Sequence, residues 1–170
     1  DLIVRGGGPS ENRFYMDGIE IPHINHFATQ GATGGPVSLI NADLIQEIQF
    51  YTGAFPADRS GAMSSVLDFK LWDGDTERQT FKATLGTSEA SLCGSGHFSE
   101  RTTYLFSLRQ SYLQFVFKML DLPFLPNYID GLFKVETKLS RYNTFTLIAL
   151  GGIDRMKLNT GVADNENSAY

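Results

Sequence analysis

The chain has 170 residues, enough to bury one ordinary core or to hold parts of two. Its 17 glycines and 12% aromatic content suit turns and β-structure better than a helical bundle. A net charge of −5 without a basic stripe argues against a nucleic-acid partner, and the single Cys93 excludes an internal disulfide and offers no metal cluster.

Leu2 to Arg5 reads as a short β-like run, and Gly6, Gly7 and Gly8 with Pro9 as a turn that needs glycine backbone. Asn12 to Met16 and Ile19 to Ile21 flank Asp17-Gly18, the dipeptide favoured in a two-residue type I′ hairpin. Pro22 ends the second arm. Residues 22 to 38 are glycine-rich, contain Pro22 and Pro36 and carry no formal charge, so they read as a long loop of the kind that is usually functional. Asn41 can cap a short helical turn with Asp43 in its first turn and Leu44 and Ile45 facing inward. Glu47 to Thr52 alternates as a strand, 53 to 60 is a second loop, and Ser64 to Leu71 is another strand. Asp73-Gly74-Asp75 breaks the pattern, which predicts a boundary between domains at 1–75 and 76–170.

From Gln79 the period is two. Strands are predicted at 79–88, 91–98, 103–111, 132–139 and 143–152, with Phe81, Leu85, Tyr104, Phe106, Phe133, Val135 and Phe145 on one face. Lys82, Lys134, Glu136 and Lys138 fall in the opposite register. The turns at 100–102 and 140–142 are tight and share one side, whereas the connections 112–131 and 153–170 are long and share the other. Leu113, Val116, Phe117 and Leu120 fit one face of a short amphipathic helix, and the same residues fit an aromatic girdle at a membrane interface. The best apolar run, Leu113 to Leu122, is interrupted by Gln114, Lys118 and Asp121, far short of the roughly twenty residues of a spanning helix. Alternating membrane strands give a weaker signal, so a membrane is not excluded. The start at Asp1 and the stop at Tyr170 within a polar run lead us to expect an excised piece of a longer protein.

Few residues carry chemistry. The glycines at 6 to 8 lack the Lys-Ser/Thr and the helix that a phosphate loop requires. His23 and His26 stand three apart near Asp17 and Glu20, but no third spaced ligand accompanies them and Pro22 disfavours helical presentation. No serine lies in a Gly-x-Ser-x-Gly element, and no histidine has an evident Asp or Ser partner by spacing, so no enzyme, resident metal or cofactor is expected.

Several of these segments recur together elsewhere. Val4-Arg5-Gly6-Gly7-Gly8, Tyr15-Met16-Asp17-Gly18-Ile19 and Asn41-Ala42-Asp43-Leu44-Ile45-Gln46-Glu47-Ile48, closing at Ser64 to Lys70, stand in this order. The series resembles the plug domain of TonB-dependent outer-membrane receptors. The resemblance implies a mixed α+β plug, a small mixed sheet with a short helical turn, followed by antiparallel β-strands of a truncated transmembrane β-barrel. A barrel of that class has about 22 strands, which five cannot close. It further implies a place in the bacterial outer membrane, lipid around the barrel strands, and uptake of a scarce small-molecule or glycan ligand such as a metal chelate or a cobalamin-like cofactor. The partner TonB would engage a segment outside this chain. The resemblance makes the 22–38 loop the apex of the plug, where His23, Asn25, His26 and Phe27 would touch an entering ligand, and Arg5 keeps the family's Arg-Gly position near the ligand side, but many relatives carry an arginine where this chain has Thr52 before Gly53. A soluble secreted β-sandwich recognition module, with Trp72 and Tyr112 as platforms for carbohydrate, is the alternative.

Overall fold

The structure is a computed structural model that describes residues 1–29, 32, 35, 37–59 and 61–159. It divides into two units, Asp1–Trp72 and Asp73–Tyr170.

The first unit is built on β1 (Asn12–Met16), β2 (Ile19–Ile21), β5 (Ile45–Tyr51) and β6 (Ser65–Leu71), ordered β2-β1-β6-β5. Asp17 at φ 47° and Gly18 at φ 82° form the left-handed pair a type I′ turn demands, so β1 and β2 close as the sequence predicts. β6 returns parallel to β1 with Asn12 opposite Ser65 and Met16 opposite Phe69. Asp17 carries that ladder one step further: its N–H donates to Phe69 O at 2.9 Å, and its Oδ1 accepts from the Leu71 N–H at 3.0 Å. Phe14, Met16, Leu44, Val66 and Leu71 are buried around this junction. β3 (Asn25–His26) and β4 (Val37–Ser38) form a separate two-residue pair within the segment read as one loop.

Leu2 to Arg5 does not form a strand. Its carbonyls are taken instead by a turn and by side chains: Val4 O accepts from Gly7 N–H at 2.9 Å and from Ser64 Oγ at 2.5 Å, and Leu2 O from Asn12 Nδ2 at 2.8 Å. The Asn41 cap does form, its Oδ1 accepting from Asp43 N–H at 3.0 Å, but the turn it starts is a three-residue 3-10 helix, Ala42–Leu44. Ile45 is already extended at φ −87° and ψ 123°, so β5 begins where a longer helix would have continued.

The second unit is an antiparallel meander ordered β11-β10-β9-β8-β7. Its strands are β7 (Thr80–Leu85), β8 (Glu89–Ser99), β9 (Thr102–Ser111), β10 (Phe124–Lys138) and β11 (Thr144–Leu158), with α1 (Leu113–Met119) between β9 and β10. The 112–131 connection is therefore shorter than expected, because β10 starts at Phe124 rather than at 132. Asp121 at φ 51°, with Pro123 after it, turns the chain out of α1, and Phe117 packs on Phe124 at 5.3 Å between ring centres. Leu120, expected on one face of the helix with Leu113, Val116 and Phe117, is its exposed C-cap. The part of 153–170 beyond residue 159 lies outside the described residues.

The expected fold class is corrected by this architecture. The chain is mostly β, 54% strand and 8% helical, with three sheets and one α-helix among the described residues, rather than a mixed α+β plug followed by barrel strands. The helical turn that would have made the first part α+β is a single 3-10 turn. The five-stranded sheet ends in two unpaired edges, β7 and β11, and no closed barrel forms among the described residues.

Gly18 provides a direct check on the turn. A β-branched residue at φ 82° is strained, so Gly18→Val should destabilise the first unit by about 1–3 kcal/mol, read as a lower urea midpoint. A wild-type midpoint would mean that the turn is not under this constraint.

Candidate functional site

Period-two geometry sends successive side chains of the second unit to opposite faces. Phe81, Leu92, Leu108, Phe133, Leu147 and Ile153 share one face, where all are exposed. Gly94 lies opposite both Phe81 and Phe106, and a Cβ there would come within 2.8 Å of the two rings, so the aromatic side chains fill the space above the glycine. Tyr104 stacks on Phe98 at 4.6 Å on the same face.

The opposite face carries the buried charge, while on the apolar face Arg155 and Lys157 follow Ile153 only at the far end of β11. Arg109 and Asp130 are register partners on β9 and β10. The Arg109 Nε lies 3.1 Å from each Asp130 carboxylate oxygen, and its Nη2 lies 3.0 Å from Oδ2. Glu89 Oε2 stands 4.0 Å from Arg109 Nη1 and accepts a hydrogen bond from the Tyr128 hydroxyl. The Arg109 guanidinium also sits 5.9 Å from the Tyr128 ring centre. Arg109, Asp130 and Tyr128 are all buried. Lys134 lies four residues further along β10 on the same face, with Nζ 2.8 Å from Asp73 Oδ1. A planar guanidinium matched to a carboxylate is a strong, directional pairing, which suits a rigid polar surface better than a reactive one.

In the first unit the residues expected to meet a ligand are not equivalent. His23 is exposed, Asn25 and Phe27 are partly covered, and His26 is 1% exposed. Asn25 pairs with Ser38 and His26 with Val37, so the two side chains leave β3 on opposite sides. Gly35 passes so close that a Cβ would lie 2.1 Å from His26 O, and Phe27 takes φ 56° to leave the strand. Arg5 is exposed in the Arg5-Gly6 turn, and its Nη1 lies where a Cβ on Gly53 would come within 2.9 Å. Arg5 therefore faces the second loop's glycine rather than the histidine segment. Among the described residues no group of three or more His, Cys, Asp or Glu side chains is placed to hold a metal ion.

Two constellations were not read from the sequence. Arg59 bridges Asp58 at 2.8 Å and Asp68 at 2.7 Å and lies 4.6 Å from the Tyr15 ring centre. The hydrogen bond to Asp68 raises the Arg59 pKa above its ordinary value. The signal was the shared arginine: Asp58 and Asp68 are ten apart but converge on the residue between them. Arg109 and Asp130 were missed because Asp130 was assigned to a connection; once β10 is extended to Phe124, alternation puts it beside Arg109.

Searches against protein-family models, curated proteins and solved structures found no match to this chain.

Breaking a buried pair from one side leaves the other charge uncompensated. Asp130→Ala should therefore destabilise the second unit by about 3–5 kcal/mol, and Arg109→Met combined with Asp130→Leu should cost less than Asp130→Ala alone. Urea unfolding of the single and double variants measures both, and additive losses would remove the pair as the organising contact of this face.

Proposed function

We propose that this chain is part of an outer-membrane receptor of the TonB-dependent class, which binds a scarce small-molecule or glycan ligand and imports it by energy-coupled uptake. The observation that carries the reading is the division of the five-stranded sheet, up to the Arg155–Lys157 end of β11, into an exposed apolar face and a charged opposite face. A lipid-facing sheet needs that division, because charge on the lipid side costs about 2–4 kcal/mol at the bilayer midplane. The order of the Arg5-Gly6, Asp17-Gly18 and Asp43-to-Ile48 segments supports it, together with the type I′ turn at Asp17-Gly18. No helix among the described residues is long and apolar enough to cross a membrane, which says nothing about strands. In this reading His23, Asn25, Phe27 and Arg5 meet the ligand, His26 orders the loop from beneath, and TonB pulls on a segment outside this chain.

The soluble recognition module keeps one point in its favour, since an all-β, sandwich-like arrangement is compatible with the strand content. Of its two platforms, Trp72 is half exposed, while the Tyr112 hydroxyl is spent on the Gly86 and Glu89 carbonyls.

Single cysteines in a Cys93→Ser background separate the two. If the receptor reading holds, cysteines at Phe81, Leu108 and Leu147 in the outer-membrane fraction should react with a lipid-soluble maleimide and resist a charged one. Cysteines at Ser95 and Thr146, in the opposite register, should be shielded from the lipid-soluble probe. Recovery of the protein in the soluble fraction, with the charged reagent reaching Leu147, would favour the secreted module.

A further inference from the structure

Three consecutive residues at the start of the second unit address three consecutive rows of its sheet. Asp73 Oδ1 is 2.8 Å from Nζ of Lys134, whose register row contains Leu105 and Ser95. Asp75 O is 3.3 Å from Nδ1 of His97, in the row of Thr103 and Glu136. Gly74 falls between them, over the row of Gly96 and Tyr104. Tyr104 and Val135 in that row send their side chains to the apolar face and Gly96 has none, so on the charged face the strand backbone is bare. A Cβ on Gly74 would lie 2.5 Å from Tyr104 O, 2.6 Å from Tyr104 N and 2.7 Å from Gly96 O, distances at which the segment has to move. Only a residue without a side chain can lie this close.

The segment joins no strand ladder. Asp75 closes it locally, its Oδ1 accepting from the Glu77 N–H at 2.7 Å and the Arg78 N–H at 3.0 Å, and these two bonds lower its pKa. The contacts that hold it across the sheet are the Asp73–Lys134 ion pair, the Gly74 packing and the His97 contact. Asp73 is largely exposed while Lys134 is buried, so the pair can open toward solvent from the Asp73 side.

We propose that residues 73–78 form a releasable strap: docked, it pins the start of the second unit against β8–β10, and undocked, it gives the chain ahead of β7 slack of up to about 20 Å at roughly 3.4 Å per residue. Asp73 and Gly74 are its positioning residues. This stands whether or not the uptake reading does, because it uses only contacts within the second unit.

Arg78, exposed at the end of the strap, makes trypsin a direct reporter, and Arg101 in the exposed β8–β9 turn is the internal control. With the whole chain in one fixed buffer or detergent, Asp73→Asn should speed cleavage after Arg78 about fivefold, as expected for loss of a part-exposed charged contact. Gly74→Val should speed it more, Asp73→Glu should restore the wild-type rate, and cleavage after Arg101 should not change. Equal Arg78 rates in wild type, Asp73→Asn and Gly74→Val would overturn the strap. So would a parallel rise at Arg101, because the variants would then be loosening the sheet as a whole.

Discussion

The register of β10 between its two neighbours is the constraint on which the second unit rests. It pairs at fifteen positions with β11 and at nine with β9. A slip of one residue would carry Asp130, Lys134 and Glu136 to the face that holds Phe81 and Leu147, and Phe133 to the face that holds Arg109. Hydrogen bonding alone does not forbid such a slip, since every ladder would re-form. The cost lies in the side chains: a carboxylate separated from its guanidinium and aromatic rings set among charges. Arg109 facing Asp130 thus acts as a pin that makes one register far better than its neighbours.

The first unit solves a different problem with a smaller device. Its parallel pair, β1 and β6, is joined by a crossover of nearly fifty residues, so local sequence cannot bring the two strands together. Asp17 does so from the end of β1, offering β6 both a backbone donor and a carboxylate acceptor. The same residue opens the hairpin to β2. One aspartate therefore couples a local turn to a long-range pairing, and Asn12 works at the other end, where Ser65 Oγ donates to its Oδ1 at 2.6 Å while its amide reaches Leu2 O and Pro9 O.

Much of the local structure was legible in the sequence, and the reasons are specific. The hairpin at Asp17-Gly18 was read with its arms correct because a type I′ turn admits few dipeptides and the flanking residues alternate. The five strands of the second unit were found because period two persists through Phe81 to Ala149. The start of β10 was not, because Pro126 and Gly131 resemble loop residues until a neighbouring strand is known to lie beside them, and the turn after Asn41 is a 3-10 turn of three residues because a cap signals where a helix starts and not how far it runs. Side-chain placement at the candidate site was least legible. His23 and His26 look alike at three-residue spacing, yet one is exposed and the other enclosed by a backbone approach from Gly35 that nothing near His26 announces. Arg59, Asp58 and Asp68 meet only after the loop folds back on β6.

Strand parity carries a consequence for how the second unit can meet its own kind. Five antiparallel strands leave β7 and β11 running in the same direction at the two edges. A copy added by simple translation would set β7 beside β11 as a parallel pair, which does not continue the meander's hydrogen-bond pattern. A copy related by a two-fold axis sets β11 against β11 antiparallel, and that contact is closed after two molecules. Open-ended growth through the edges would therefore need two different two-fold contacts in alternation, β11 on β11 and β7 on β7, rather than one contact repeated.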